Sequence, residues 1–285
     1  MNALKRCSIL ALVVLASLAQ AQDKKTIRLT VKPGTVMTST SVTDGKFAMT
    51  GPADQTVNNK TTMVQQYKFD KGSEGWLKFL IETTEFKMEG EQFNMGTPID
   101  TDQIIAQAKK VKISGEVNEM GSARNVELTG AEDMEMGTKQ MMTSISDRIS
   151  QIGLMSMFYP VEGVGVGSIW KKEIDLGKSL AAIPFFTDVN GKAPVEFTVE
   201  AFEKVDDKDT AKIKVFIDGR VTFGMNFGGG DTKGSMTTTS AGHVWIDLAT
   251  GLPVKSDTKM ANNIDFGVGT MQQEMSITTT TAVKG

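Results

Sequence analysis

The chain has 285 residues, with 31 basic residues, 34 acidic residues, one histidine and one cysteine. Its net charge of −3, without a dense Lys/Arg patch, argues against nucleic acid as a partner and against strong binding to anionic lipid headgroups. A single cysteine excludes a disulfide within the chain and a cysteine-based metal site, so we expect no metal and no cofactor.

The first 21 residues have the layout of a secretory signal peptide. Lys5 and Arg6 are followed by a mostly apolar run over residues 7–18, and residues 19–21 read Ala-Gln-Ala. The run has about 12 residues, fewer than the roughly 20 that a membrane-spanning helix needs. We therefore predict cleavage after Ala21, a mature chain without a transmembrane segment, and a periplasmic or secreted location.

Long antiparallel strands are predicted for the first part of the mature chain. Apolar and polar residues alternate over 27–31, which predicts a strand. Residues 61–69 and 75–88 flank a Gly-rich turn at 71–75, as in a hairpin. Strands this long are typical of a barrel, a half-barrel or a strongly bent sheet.

Two helices are predicted, over residues 101–109 and 138–157. The second helix is amphipathic and rich in methionine, a flexible residue that suits varied apolar shapes. Its apolar side could complete the core, line a ligand cavity or bind a partner protein. For the ligand cavity we predict these lining residues: Met142, Ile145, Ile149, Ile152 and Met155.

The last third of the chain reads as strands joined by turns. Residues 195–202 alternate apolar and polar side chains, and the acidic residues 206–209 form a turn. The strand at 243–248 places His243 on the same face as Trp245. A lone histidine cannot build a zinc site, and we interpret His243 as a surface residue of this strand.

No catalytic residue is predicted. Ser168–Lys171 and Ser256–Lys259 match S-x-x-K, but that motif must open a helix and both copies fall in predicted strands. The glycines at 163–167 and 228–230 do not lie between a strand and a helix, as phosphate loops require. We therefore expect a protein that is not an enzyme.

Two segments carry a family resemblance. Residues 160–170 resemble the P-x-x-x-V-x-V-G-D-x-W pattern, with Ser168 in place of Asp, and residues 242–252 resemble G-x-x-x-x-D-x-x-T-G-x. Both patterns occur in a group of exported bacterial proteins that is itself similar to the lipoprotein carriers LolA and LolB and to the lipoprotein LppX. That resemblance implies a curved antiparallel half-barrel, closed by helices around an apolar cavity for acyl chains.

The sequence thus predicts a mainly β, α+β fold in one domain over 22–285, with two halves divided near Pro160 as the alternative. The predicted fold is a long curved antiparallel sheet, or half-barrel, with two helices against its concave face. The predicted function is non-catalytic binding of a lipid or other apolar molecule between the sheet and the Met-rich helix. The alternative is a structural or interaction protein of the cell envelope, with an envelope protein as its partner and a filled core. A continuous apolar cavity of at least ~300 Å³ would favour ligand binding.

Overall fold

A computed structural model describes residues 24–51, 54–91, 101–132, 134, 149, 154–177, 186–226 and 231–284. These residues form one open, antiparallel sheet of twelve strands and one helix of ten residues, and residues 149, 176 and 177 are also helical. In chain order the elements are β1 (Thr35–Thr50), β2 (Gln55–Lys71), β3 (Trp76–Gly90), α1 (Thr101–Lys110), β4 (Lys112–Asn118), β5 (Ala123–Thr129), β6 (Ile169–Asp175), β7 (Phe186–Asn190), β8 (Lys192–Val205), β9 (Lys208–Asn226), β10 (Asp231–Asp247), β11 (Pro253–Asp265) and β12 (Thr270–Lys284). The prediction of a mainly β, antiparallel fold is confirmed.

The strand order is β5-β4-β3-β2-β1-β12-β11-β10-β9-β8-β6, and β7 pairs with β9 outside this path. The sheet therefore consists of two meanders, one from each half of the chain. They join in the middle, where β1 pairs with β12 from Thr50 opposite Thr270 to Val36 opposite Lys284. We call this pairing the central seam.

The short turns follow from local sequence. Asp206 and Asp207 have φ angles of 49° and 63° and join β8 directly to β9. Two residues of positive φ match the right-handed twist of a hairpin, and Asp tolerates that conformation. The predicted turn at 206–209 is confirmed, as is the predicted hairpin formed by β2 and β3.

Contacts of the N-terminal segment show that the sheet is strongly curved. Leu29 donates its N–H to the carbonyl of Glu119, in the turn after β4, and Thr30 donates to the carbonyl of Thr250, in the turn after β10. These turns lie about six strand spacings apart in the sheet order, and at about 4.8 Å per strand a flat sheet would separate them by roughly 29 Å, farther than two adjacent residues can reach. The two meanders therefore bend toward each other at this end of the sheet, and the face that carries the main core is concave there.

The N-terminal segment runs through this main core, and the strand predicted at 27–31 is wrong. Ile27 and Leu29 are 0% and 3% exposed, but the segment joins none of the twelve strands. Leu29 instead donates its N–H to the carbonyl of Glu119 (2.8 Å), and Thr30 donates to the carbonyl of Thr250 (2.9 Å). These bonds to two turns satisfy the backbone of an extended segment that lies outside the sheet.

The turn between β10 and β11 anchors that segment. The Asp247 carboxylate accepts hydrogen bonds from the N–H of Ala249 (2.9 Å) and the hydroxyl of Thr250 (2.8 Å). The buried Tyr159 hydroxyl donates to the carbonyl of Gly251 at 2.8 Å. The D-x-x-T-G residues of the second motif are thus turn and packing positions.

The helix prediction is confirmed only in part. α1 is found where it was expected and packs along β3, with Ile105 and Ala108 half-buried. Of the second predicted helix, residues 138–148 and 150–153 lie outside the described residues, and residue 149 is helical. Residues 154–158 form bends and turns, so the predicted end at residue 157 is too late. Within the described part of the chain, no helix is long and apolar enough to cross a membrane.

Candidate apolar binding surface

A second core cluster lies on the same face of the sheet as the main one. β9 contributes Ile213 to the main cluster, and Phe223 and Met225 to the second. All three residues have odd numbers, and alternate residues of a strand share a face. Between the two clusters, Val215 and Ile217 are only half-buried. We call this side of the six central strands the inner face, and the opposite side the outer face.

The strand registers define the inner positions across these six strands. They are the odd-numbered residues 39–49 of β1, 55–67 of β2, 211–225 of β9 and 271–283 of β12, and the even-numbered residues 232–246 of β10 and 256–264 of β11. None of these positions holds Asp, Glu, Lys, Arg or His. The inner face is therefore uncharged across the width of six strands.

β12 shows the contrast between the two faces most clearly. Its odd-numbered residues from 271 to 283 are all half-buried, and its even-numbered residues from 270 to 284 are all exposed. The exposed set includes Glu274 and Lys284, and on the neighbouring β11 the outer position 259 is also a lysine. Charge is thus confined to the outer face.

Methionine is the commonest large apolar residue on the uncharged surface between the two clusters. Met49 lies directly opposite Met271 across the central seam, and Met260 lies opposite Met275 across the next strand pair. Such opposite residues have Cβ atoms about 4.5–5.5 Å apart. Six half-buried methionines occupy this surface: Met49, Met63, Met236, Met260, Met271 and Met275. Because methionine is flexible and polarizable, the surface can adapt to apolar molecules of different shapes.

The polar side chains of the inner face are uncharged, and several of them bond to one another. Asn262 Nδ2 donates to Gln273 Oε1 at 2.8 Å, and the Ser41 and Thr279 hydroxyls lie 3.0 Å apart. The Tyr67 hydroxyl donates to Gln65 Oε1 at 3.3 Å, and burial raises the pKa of Tyr67 to about 12. The inner face therefore stays neutral over the physiological pH range.

The outer face carries a wide groove of about 1020 Å³ that crosses the sheet from β9 to β3. Its lining includes Phe216, which is 42% exposed, but also Asp44, Lys60 and Lys259. A twisted sheet can be concave on opposite faces along its two diagonals, which accounts for a groove on this side. With charged side chains of both signs in its wall, the groove is not the apolar cavity expected from the sequence.

His243 lies on the outer face, as predicted. Its Nδ1 is 3.1 Å from an Asp257 carboxylate oxygen, and its Nε2 is 3.2 Å from a Glu200 carboxylate oxygen. A hydrogen bond from Lys212 lowers the pKa of Glu200, so that carboxylate is ionised. Both ring nitrogens face carboxylates, and neither is placed to take a proton from a hydroxyl group. Among the described residues, no group of His, Cys, Asp and Glu side chains is arranged to hold a metal ion.

The two S-x-x-K matches lie outside helices. Ser256 and Lys259 are both in β11, at an inner and an outer position respectively. Ser168 directly precedes β6, and its hydroxyl oxygen accepts the N–H of Gly165 at 3.0 Å. Serine and lysine therefore do not meet one helical turn apart at either place, as the acylation motif requires.

Two of the residues predicted to line a ligand site are described. Ile149 is half-buried and packs against the main core cluster, and Met155 is a buried member of that cluster. Met142, Ile145 and Ile152 lie outside the described residues, so the predicted role of the helix in binding stays a prediction. The strand methionines were not predicted from the sequence; a long run of alternate positions without charge is the signal that could have found them.

No protein-family profile matches the sequence, and no curated protein matches it. Similar solved structures include lipovitellin ("lipid-protein interactions in lipovitellin"), with a TM-score of 0.46 and 9% identity over 89% of this chain. The chain spans 26% of that lipovitellin chain. Salmonella typhi OmpF in complex with daunomycin has a TM-score of 0.32 and 5% identity, covering 90% of this chain and all of OmpF. A mutant porin of Rh. blastica has a TM-score of 0.27 and 10% identity, covering 86% of this chain and 99% of the porin. At these TM-scores the similarities support no inference about what this chain binds.

Proposed function

We propose that this protein binds a lipid or another apolar molecule on the inner face of its sheet, without catalysing a reaction. The observation that carries the proposal is the uncharged, Met-rich surface between the two core clusters. A surface of this width that excludes every charged side chain is not suited to open contact with water. Such a surface is stabilised when an apolar group shields it from water, and a lipid chain is a group of this kind.

The energetics of apolar burial support this function. Removing a CH₂ group from water contributes about 0.8 kcal/mol, so a twelve-carbon chain fully buried on this face would contribute roughly 10 kcal/mol. That gain is comparable with the cost of immobilising a ligand, about 4–15 kcal/mol. Such a molecule needs no charged contact, and the inner face provides none.

The proposal includes the parts of the predicted fold that lie beyond the described residues. In it, the Met-rich helix predicted from residue 138, ending before residue 154, covers the inner face of a half-barrel. The protein is exported under the direction of residues 1–21 and meets its ligand in the periplasm or outside the cell. The family resemblance of residues 160–170 and 242–252 is consistent with this role.

Two neighbouring residues on β12 allow a matched test. Met275 lies on the inner face and Ser276 on the outer face, and a lysine at either position adds the same charge. The probe is N-phenyl-1-naphthylamine, an uncharged apolar fluorophore whose emission rises when it is bound. We expect Met275→Lys to weaken binding at least tenfold and Ser276→Lys to leave it unchanged.

Either of two results would contradict the proposal. One is a wild-type protein that does not bind the probe, and the other is equal weakening by both lysines. Circular dichroism of each variant checks that the fold is intact. Native mass spectrometry of the purified protein provides a second readout, since a bound lipid adds a discrete mass that Met275→Lys should remove.

One observation favours the alternative, an interaction protein of the cell envelope. β6 is the last strand on its side of the sheet, and the side chains of Val161, Val166 and Ile169 near it are 75%, 43% and 59% exposed. Exposed apolar residues beside a sheet edge are a common feature of protein interfaces. If the protein binds no probe and carries no added mass, this edge is the place to look for a partner.

A further inference from the structure

An amide pair lies in the middle of the inner face. Asn262 on β11 and Gln273 on β12 are directly opposite each other, and Asn262 Nδ2 donates to Gln273 Oε1 at 2.8 Å. Both side chains are half-buried. They are the two amides at the centre of the inner face; its other amides, Gln55, Asn59 and Gln65, lie on β2 at one side of the six strands.

The pair keeps unused hydrogen-bonding capacity. The amide nitrogens make their other bonds to sulfur: Asn262 Nδ2 to Met260 Sδ at 3.6 Å, and Gln273 Nε2 to Met275 Sδ at 3.1 Å. Thioether sulfur is a weak acceptor, so a better acceptor would displace it from Gln273. The Asn262 carbonyl oxygen accepts no hydrogen bond from the described residues. The pair can therefore donate one hydrogen bond to a ligand and accept another.

Apolar side chains lie on both sides of the amides along the strands. Met260 and Met275 are opposite each other one step toward the main core, and Ile264 and Met271 are opposite each other one step the other way. Each step of two residues is about 6.7 Å. A molecule held here would have its polar group in the middle, with apolar parts extending in both directions.

The absence of charge limits which polar group fits. A phosphate or carboxylate brought to the inner face would lose its water and find no cation there. An ester carbonyl can accept from Gln273 and a hydroxyl can donate to Asn262 without any charge being buried. The face thus matches the hydrogen-bonding groups of a neutral lipid.

We infer that the inner face selects neutral lipids that carry an internal ester or hydroxyl group, such as acylglycerols, over lipids with charged headgroups. Asn262 and Gln273 are the residues that recognise this group. The inference rests on the proposed function, since it names the class of ligand for the same surface.

The chain contains its own matched control. Asn263 and Gln272 are the next residues on the same two strands, are also directly opposite each other, and are exposed on the outer face. The double variant Asn262→Leu/Gln273→Leu is therefore compared with Asn263→Leu/Gln272→Leu. Both replace one Asn and one Gln by leucine, but on opposite faces of the same strand pair.

The experiment measures displacement of N-phenyl-1-naphthylamine by two lipids with identical tails, dilauroylglycerol and dilauroylphosphatidylglycerol. We expect dilauroylglycerol to bind wild-type protein at least tenfold more tightly than the phosphatidylglycerol. The inner-face double variant should lose about tenfold in affinity for dilauroylglycerol and still bind the fluorophore. The outer-face double variant should behave as wild type.

The outcomes separate this inference from the proposed function. If the wild-type protein binds neither lipid nor fluorophore, the proposed function fails. If it binds both lipids equally, or if the inner-face double variant keeps its preference, ligand binding stands and the inference is overturned.

Discussion

Gly251 and Gly75 have nearly the same φ angle but different surroundings, so the effect of replacing each by alanine can be compared. Their φ angles are 74° and 76°, so replacement by alanine introduces the same left-handed strain at both, about 1–2 kcal/mol. Around Gly75, in the turn between β2 and β3, nothing lies within 4 Å of an added Cβ. At Gly251 the added Cβ would overlap the carbonyl of Arg28. The Gly251→Ala variant can therefore fold only if the N-terminal segment moves away from this turn.

That movement sets the size of the effect. Arg28 lies between Ile27 and Leu29, which are 0% and 3% exposed and whose full exposure would cost about 1.5–3 kcal/mol each. Uncovering half of that area costs roughly 1.5–3 kcal/mol in addition to the shared strain. We expect urea unfolding to show that Gly251→Ala loses at least about 1.5 kcal/mol more than Gly75→Ala. Equal losses would show that the turn does not hold the N-terminal segment in place.

Three further predictions concern titratable and buried polar groups. Tyr159→Phe leaves the buried carbonyl of Gly251 without its donor and should lower the free energy of unfolding by about 1–3 kcal/mol, measured by urea titration; a cost near zero would show that this bond contributes nothing. Burial raises the folded-state pKa of Tyr67 from 10.0 to about 12, so between these pH values the phenol ionises in the unfolded state but not in the folded one. The free energy of unfolding should therefore fall as pH rises from about 10 to 12, and Tyr67→Phe should make that fall smaller. An identical pH profile for the two proteins would contradict this. Hydrogen bonds from Lys112 and Lys68 lower the pKa of Glu82 below its ordinary value of 4.5, so the stability that Glu82 contributes is present above pH 4.5 and is lost as pH falls through the lowered pKa. Glu82→Gln should therefore make the loss of structure in acid, followed by circular dichroism, less steep, and an unchanged curve would refute the assignment.

Local features of the fold could be predicted because local sequence determines them. The hairpin of β2 and β3, the turn at Asp206 and Asp207, and α1 each depend on residues close together in the chain. Turn residues, strand alternation and helix periodicity are visible in the sequence without knowledge of the rest of the fold. The main features that could not be predicted depend on contacts between residues far apart in the chain.

The segment 27–31 shows why one such feature could not be predicted. Its alternation of apolar and polar residues is the same for a sheet strand and for an extended segment buried among turns. Only the partners of Leu29 and Thr30, which lie at Glu119 and Thr250, distinguish the two structures. Those partners are about 90 and 220 residues away in sequence, beyond the reach of a local pattern.

The sequence predicts a binding role for the helix at 138–157, where four methionines lie close together in sequence, and that role stays a prediction. On the strands the methionines are dispersed, and the inner face forms only when six strands align in register. The signal that could have been used is the missing charge at every second residue, for example over 271–283.

The central seam has a consequence for how the chain reaches its native state. β1 and β12 are the first and last strands of the chain. Each meander can therefore form from strands that are neighbours in sequence, but the two meanders cannot pair with each other until residues 270–284 are present. Pairing of such distant segments is intrinsically slow because a large loop must close first. Until then each half exposes an unpaired strand edge and half of an apolar surface, which makes the incompletely folded chain prone to aggregation.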